Sequence, residues 1–153
     1  MNKVITAAAL LTGLAACTTS APTPGPVPSA NVSSGTAGGA DPSSAVRGFM
    51  AAAKLQSIQS LSMWWGDAGG PTRDKMEKDQ LEKRELIMLK CLKHDRYDVV
   101  GEAPSAGGSR DVVVNLMYRE TANTTHLTVV PGPHNRWFVQ TVDLQPLHSI
   151  CAA

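Results

Sequence analysis

A carboxylate at Glu85, a phenol at Tyr118 and an imidazole at His126 are the side chains whose types and settings can do proton chemistry in this 153-residue chain. Glu85 falls between Leu81 and Met88 on a helical face that continues to Leu92, and an apolar face raises a carboxyl pKa toward the range of a general acid or base. The competing reading, which charge type favours, is a solvent-facing residue balanced by Lys83 or Arg84. Asp111, Asn115, Tyr118, His126, Arg136 and Asp143 sit in strand-like segments whose alternate side chains face a concave interior or solvent. Val112, Val114, Leu116 and Tyr118 share one face, so Tyr118 is read first as a capped core tyrosine. His126 alternates with Thr128 and Val130 along its strand. With no acid assignable beside it, it is read as an exposed strand histidine.

His94, His134 and His148 are scattered over a helix end, a turn and the C-terminal tail. None has the helical two-histidine spacing of a zinc motif, and no cofactor or metal is implied. His94-Asp95 reads as a cation at a helix C-terminus followed by a turn acid. The adjacent indoles of Trp64 and Trp65 leave a helix in different directions, so at least one is a candidate for a pocket mouth or partner surface, joined by Trp137.

Location is written more clearly than activity. Lys3 precedes an apolar run from Val4 to Leu14 of signal-peptide length, too short to span a membrane. Leu14-Ala15-Ala16-Cys17 resembles the lipobox at which a lipoprotein signal peptidase cuts, which makes residues 1–16 a signal peptide and Cys17 the lipid-bearing N-terminus of the mature chain. Several acyl chains at about 0.8 kcal/mol per buried methylene give firm anchoring. Thr18, rather than Asp, in the second mature position resembles the sorting pattern for the outer membrane. The rest of residues 17–40 is Ala, Pro, Ser, Thr, Gly, Asn and Val, a tether with a stiffer Pro-rich part and a looser Gly/Ser part.

About 110 residues then remain, enough for one domain with a modest core. Lys3 is the only charged residue before Asp41, so the body carries 13 basic and 13 acidic side chains and offers no polyanion-binding surface. Nucleic acid is excluded as a partner. With Cys17 lipidated, Cys91 and Cys151 form an even pair in an oxidising compartment, and a disulfide between them is expected; the alternative is a buried thiol at Cys91 and a loose Cys151.

The elements that position these groups divide into helices first and strands last. Asp41-Pro42 starts a helix, with Asp41 as cap and Pro42 in the first turn. Its apolar stripe runs from Val46 through Phe49, Met50 and Ala53 to Ile58 and Leu61, with a break expected near Gln56 or Ser57. Asp67 to Pro71 is a turn, and Thr72 to His94 reads as the second main helix, entering the core by the half from Leu86 to Leu92. Tyr97–Glu102, Asp111–Glu120, Thr124–Val130 and Arg136–Leu144 read as strands separated by reversing turns. The fold class is α+β: two or three helices packed on a curved antiparallel sheet of about four strands over residues 41–153.

That order, opened by Ala45-Val46-Arg47-Gly48-Phe49-Met50-Ala51-Ala52-Ala53 and closed by Arg136-Trp137-Phe138-Val139, resembles small lipoproteins of the nuclear-transport-factor-2-like superfamily. The resemblance covers Asp41 to about Leu147 and implies a cone-like sheet. It departs from the family at Gln56-Ser57, where a Gly-Asp pair is usual, and in having no strand between Trp65 and Thr72. The superfamily holds isomerases, dehydratases, hydrolases and cyclases beside non-catalytic binding modules, so the fold implies no single activity. The leading expectation is a lipid-anchored, non-catalytic binding or accessory module of the cell envelope, with a small apolar ligand or an envelope protein as partner and a homodimer left open. The rivals are a cone-pocket isomerase or hydrolase using Glu85, Tyr118 or His126, and a structural spacer.

Overall fold

The computed structural model describes residues 36–153; the expected signal peptide, Cys17 and most of the expected tether lie outside the described residues. Asp41 caps the first helix, α1 (Pro42–Lys54), through a reciprocal pair: its carboxylate accepts from the Ser44 amide at 2.7 Å, and the Ser44 hydroxyl accepts from the Asp41 amide at 3.0 Å. This satisfies two orphan amides of the first turn, and Pro42 lacks the third. The buried stripe is Ala45, Val46, Phe49, Met50, Ala52 and Ala53.

The break falls where expected. Gln56 takes a φ of 52°, and Ser57 caps the single-turn helix α2 (Ile58–Leu61), its hydroxyl accepting from the Ser60 amide at 3.2 Å. The Gln56 side-chain amide also donates to the carbonyls of Ala53 (2.7 Å) and Leu89 (2.9 Å), which ties the end of α1 to the next long helix.

Two sequence readings need correction between Trp65 and Lys78. A small antiparallel ribbon, β1 (Gly66–Asp67) and β2 (Gly70–Pro71), stands where no strand was expected. The Asp67 carboxylate accepts from the Gly69 amide at 2.7 Å and Gly70 takes a φ of 110°, a side-chain-closed reversal too short to show in any periodicity. The second helix also starts later and ends earlier than Thr72 to His94: Thr72–Asp74 is a lone 3-10 turn, and α3 is Lys78–Cys91. Lys75, between them, leaves helical geometry at φ −127° and pairs with Asp67 of the ribbon.

Within α3 the apolar half does not enter the core as a block. Met88, Leu89, Cys91 and the capping Leu92 are buried, whereas Leu86 and Ile87 remain 49% and 57% exposed. The face that turns inward is Leu81, Glu85, Met88 and Leu92, one residue per turn.

The four remaining strands, β3 (Arg96–Pro104), β4 (Arg110–Tyr118), β5 (Thr121–Pro131) and β6 (Trp137–Val142), form an open antiparallel sheet in the order β3-β4-β5-β6. It is not a closed barrel. Register bulges interrupt the ladder at Val99/Gly101 and Thr128/Val129. Val112, Val114 and Leu116 face the helices as the alternation predicts, joined by Leu127, Val129 and Val139, and all are 0–1% exposed. They pack against Val46, Phe49, Met50, Leu61, Leu89 and Leu92, so the concave face is filled by side chains.

Residues before α1 join the β6 edge. Gly39 and Trp137 exchange amide-carbonyl bonds of 2.8 Å, and Arg136 donates from Nε to the Ala37 carbonyl at 3.2 Å and from Nη2 to the Gly38 carbonyl. The C-terminal turn α4 (His148–Cys151) is held to α3 by the Cys91–Cys151 disulfide, which spans a sequence separation of 60. Among the described residues no helix is long and apolar enough to cross a membrane.

Candidate functional site

On α3, Lys78, Leu81, Glu82 and Glu85 follow the i, i+3, i+4, i+7 spacing that places side chains on one face. Across from them the short helix α2, set by the Ser57 cap, presents Ile58 and Gln59, with Ser62 just past its end. These seven residues line a solvent-open cleft of about 410 Å³. The Ser62 hydroxyl is committed to the Gln59 carbonyl at 2.8 Å and does not reach for the acid.

Glu85 is the unusual group here. It is 1% exposed, its Oε1 has no hydrogen-bond partner, and it forms no ion pair among the described residues. The solvent-facing reading, with Lys83 or Arg84 as counter-ion, is therefore corrected: helical phase, not charge type, decides its placement. Burial pushes its pKa up from 4.5 to about 7, and the neighbouring Glu82 carboxylate adds to the rise. A carboxyl in that condition holds a proton near neutrality and gives it up when a cation or donor arrives.

Tyr118 lies on the helix-facing side of β4, half-buried against the core, with the Arg119 guanidinium 5.1 Å from its ring centroid. A small cleft of about 110 Å³ beside it is shared with Thr121, Ser149 and Ile150. His126 is exposed on the other face of the sheet, and it does have an acid: its Nδ1 donates to Asp111 Oδ2 at 2.8 Å. The sequence reading missed this because the pair is diagonal, Asp111 standing opposite Thr128 and His126 opposite Val113. Glu85, Tyr118 and His126 thus occupy a helix cleft and two opposite sheet faces, and the fold does not bring them together.

The other candidates have structural partners. Asn115 shares the outer face of β4 with Asp111; Arg136 clamps the segment before α1; and Asp143 accepts from the Gln145 amide at 3.0 Å through its carboxylate and from Thr125 through its carbonyl. Trp64, Trp65 and Trp137 are each half-buried against the core. The Trp64 indole lies on Gly48 of α1, and Trp65 Nε1 donates to the Gln140 carbonyl at 3.2 Å.

His94 requires a second correction. It is 7% exposed, stands edge-on to Tyr97 at 5.5 Å, and donates from Nδ1 to the Leu92 carbonyl at 2.8 Å. Burial pushes its pKa below the ordinary value, so it is a neutral core imidazole rather than a helix-end cation. His134 sits in the turn before β6 at φ 57°, and His148 opens α4. Among the described residues no three His, Cys, Asp or Glu side chains converge as metal ligands.

Gln59, Ser62, Lys78 and Glu82 are the cleft residues that the sequence reading did not single out, and Ile58 entered it only as part of the first helix's apolar stripe. The 78/81/82/85 spacing was a usable signal for the α3 side; nothing in α2 alone marks it as the opposite wall. Comparison of the chain with protein-family profiles, curated proteins and solved structures finds no match.

Proposed function

We propose that this chain is a lipid-anchored, extracytoplasmic binding or accessory module of the cell envelope, held to the membrane through Cys17 and standing off it on the residue 17–40 tether. Cysteine usage is the observation that carries the reading. Cys91 and Cys151 are joined in a disulfide, as in proteins of oxidising compartments, and the third cysteine, Cys17, stands alone after Leu14-Ala15-Ala16. The helix-then-strand order supports membership of the nuclear-transport-factor-2-like group, with an open sheet in place of a cone. Thr18 supports sorting to the outer membrane.

The filled concave face weighs against cone-pocket isomerase or hydrolase chemistry, because Val112, Val114, Leu116 and Leu127 occupy the space a substrate would need. The α2–α3 cleft is then the better place for a small ligand, and the half-buried tryptophans for an envelope protein or a second copy. The test is to express the full chain and its Cys17→Ser variant in a diderm bacterium with labelled palmitate. The wild type is expected in the outer-membrane fraction carrying label. An unlabelled wild-type chain, soluble after osmotic shock, overturns the reading.

A further inference from the structure

We infer that the α2–α3 cleft is a binding site for a small primary ammonium ion with a short apolar body, the ammonium seated on Glu85. The inference deepens the binding reading above and rests on it. Three features of the cleft converge on this ligand chemistry.

The first is an acceptor without a donor. Glu85 is 1% exposed, and its Oε1 is buried with nothing to accept from. A buried oxygen left in this state is costly, and an N–H donor entering the cleft removes that cost. The second is charge. Glu82 stands three residues before Glu85, just under one turn, on the same face, so a second carboxylate favours a cationic donor over a neutral one. Lys78, two turns from Glu85 and about 10 Å along the axis, forms no ion pair with it. No titratable group enters from α2, which contributes Ile58, Gln59 and Ser62.

The third is size and lining. About 410 Å³ suits a small molecule, and Ile58 and Leu81 offer apolar walls for a short alkyl or aryl body. A divalent metal ion is a poorer fit: it needs several oxygen ligands, and among the described residues no three acidic or histidine groups converge. Binding proceeds with ionisation of Glu85, the carboxyl proton passing to solvent as the ammonium takes its place. Affinity therefore falls as pH drops below about 7, by up to about tenfold per pH unit.

The test uses the full chain in neutral detergent, labelled with carbon-13 at glutamate carboxyls and leucine methyls, and titrated with n-butylamine, n-butanol and butyrate. The expected result is a saturable move of the Glu85 carboxyl signal toward its ionised position with the amine alone, together with a shift of the Leu81 methyls. Glu85→Gln, an uncharged near-isostere, is expected to weaken amine binding, read by the Leu81 methyls, at least tenfold while the remaining spectrum stays folded. Absence of a saturable shift in the folded chain overturns the proposal, as does an equal response to butanol or butyrate, or unchanged amine binding by Glu85→Gln. Membrane anchoring through Cys17 is read separately by fractionation, so failure here leaves that result standing and the reverse.

Discussion

Trp64 lies flat against Gly48, so close that a Cβ at position 48 would come within 2.3 Å of the indole. The contact lets the segment after α2 pass over α1 and deliver Trp64's carbonyl to the Val139 amide at 2.9 Å, joining the helical layer to the β6 edge. Glycine is otherwise a poor choice in a helix interior.

Gly48→Ala measures that contact. Alanine would gain about 1 kcal/mol of helix propensity in an open position. Here the indole must move, and overpacking of this kind costs roughly 1–3 kcal/mol. The expected net result is a lower urea midpoint with an altered tryptophan emission. Gly101→Ala, whose Cβ would meet Val113 no closer than 3.6 Å, is the control and should be neutral or slightly stabilising. Equal behaviour of the two variants would mean that Trp64 is not seated on α1.

The Cys91–Cys151 bridge closes a loop across a separation of 60 residues. The chain-entropy model credits such a loop with about 4 kcal/mol, a large share of the stability of a domain this small. Cys91→Ser with Cys151→Ser should lower stability by that order in chemical denaturation, and dithiothreitol should do the same to the wild type while leaving the double variant unmoved. A reductant-insensitive wild type would show that the α3 and α4 contacts hold the C-terminus unaided.

Legibility in the sequence tracked how local the determining physics was. The Asp41-Pro42 cap, the break at Gln56-Ser57 and the four strands are set by neighbours a few residues apart, and each could be read from the chain. The β1–β2 ribbon could not, because it depends on one Asp67 side chain closing a reversal two residues long. The His126–Asp111 pair depends on the β4–β5 register, which a one-residue change of turn would abolish. Glu85 is the instructive case: its phase between Leu81 and Met88 was visible, yet its charge argued for solvent. The approach of α2 to α3 that overrides that preference is a tertiary fact.

Glu85 gives stability a definite pH trend. Its folded pKa is raised from 4.5 to about 7, so the folded state keeps a proton that the unfolded chain has released. The stabilising contribution is complete below about pH 4.5 and is lost as pH rises through about 7. Glu85→Gln, uncharged throughout, should flatten the decline in urea midpoint between about pH 5 and about pH 8. If wild type and variant show parallel profiles, Glu85 is solvated in the folded protein and the cleft is wider than described.

His94 acts with the opposite sign. Its folded pKa is held below the ordinary 6.5 by burial, so the unfolded chain takes up a proton first as the medium is acidified. The contribution is complete above about pH 6.5 and is lost as pH falls through the lower folded value. The reason is local: Nδ1 is already spent on the Leu92 carbonyl, and Nε2, buried without a partner, would have to carry the new N–H into an apolar setting beside Tyr97. His94→Gln can keep a donor to the Leu92 carbonyl but cannot titrate, so it should lower stability at about pH 8 by about 1 kcal/mol through lost packing while removing the acid-side loss below about pH 6. Carbon-13 shifts of the His94 ring offer a direct check, since a ring that titrates at an ordinary value in the folded protein would mean that it is reached by water. The two windows overlap between about pH 4.5 and about pH 6.5, where Glu85 lowers stability as pH rises and His94 lowers it as pH falls, so the effects offset one another in the wild type and the double variant should show a flatter stability profile than either single one.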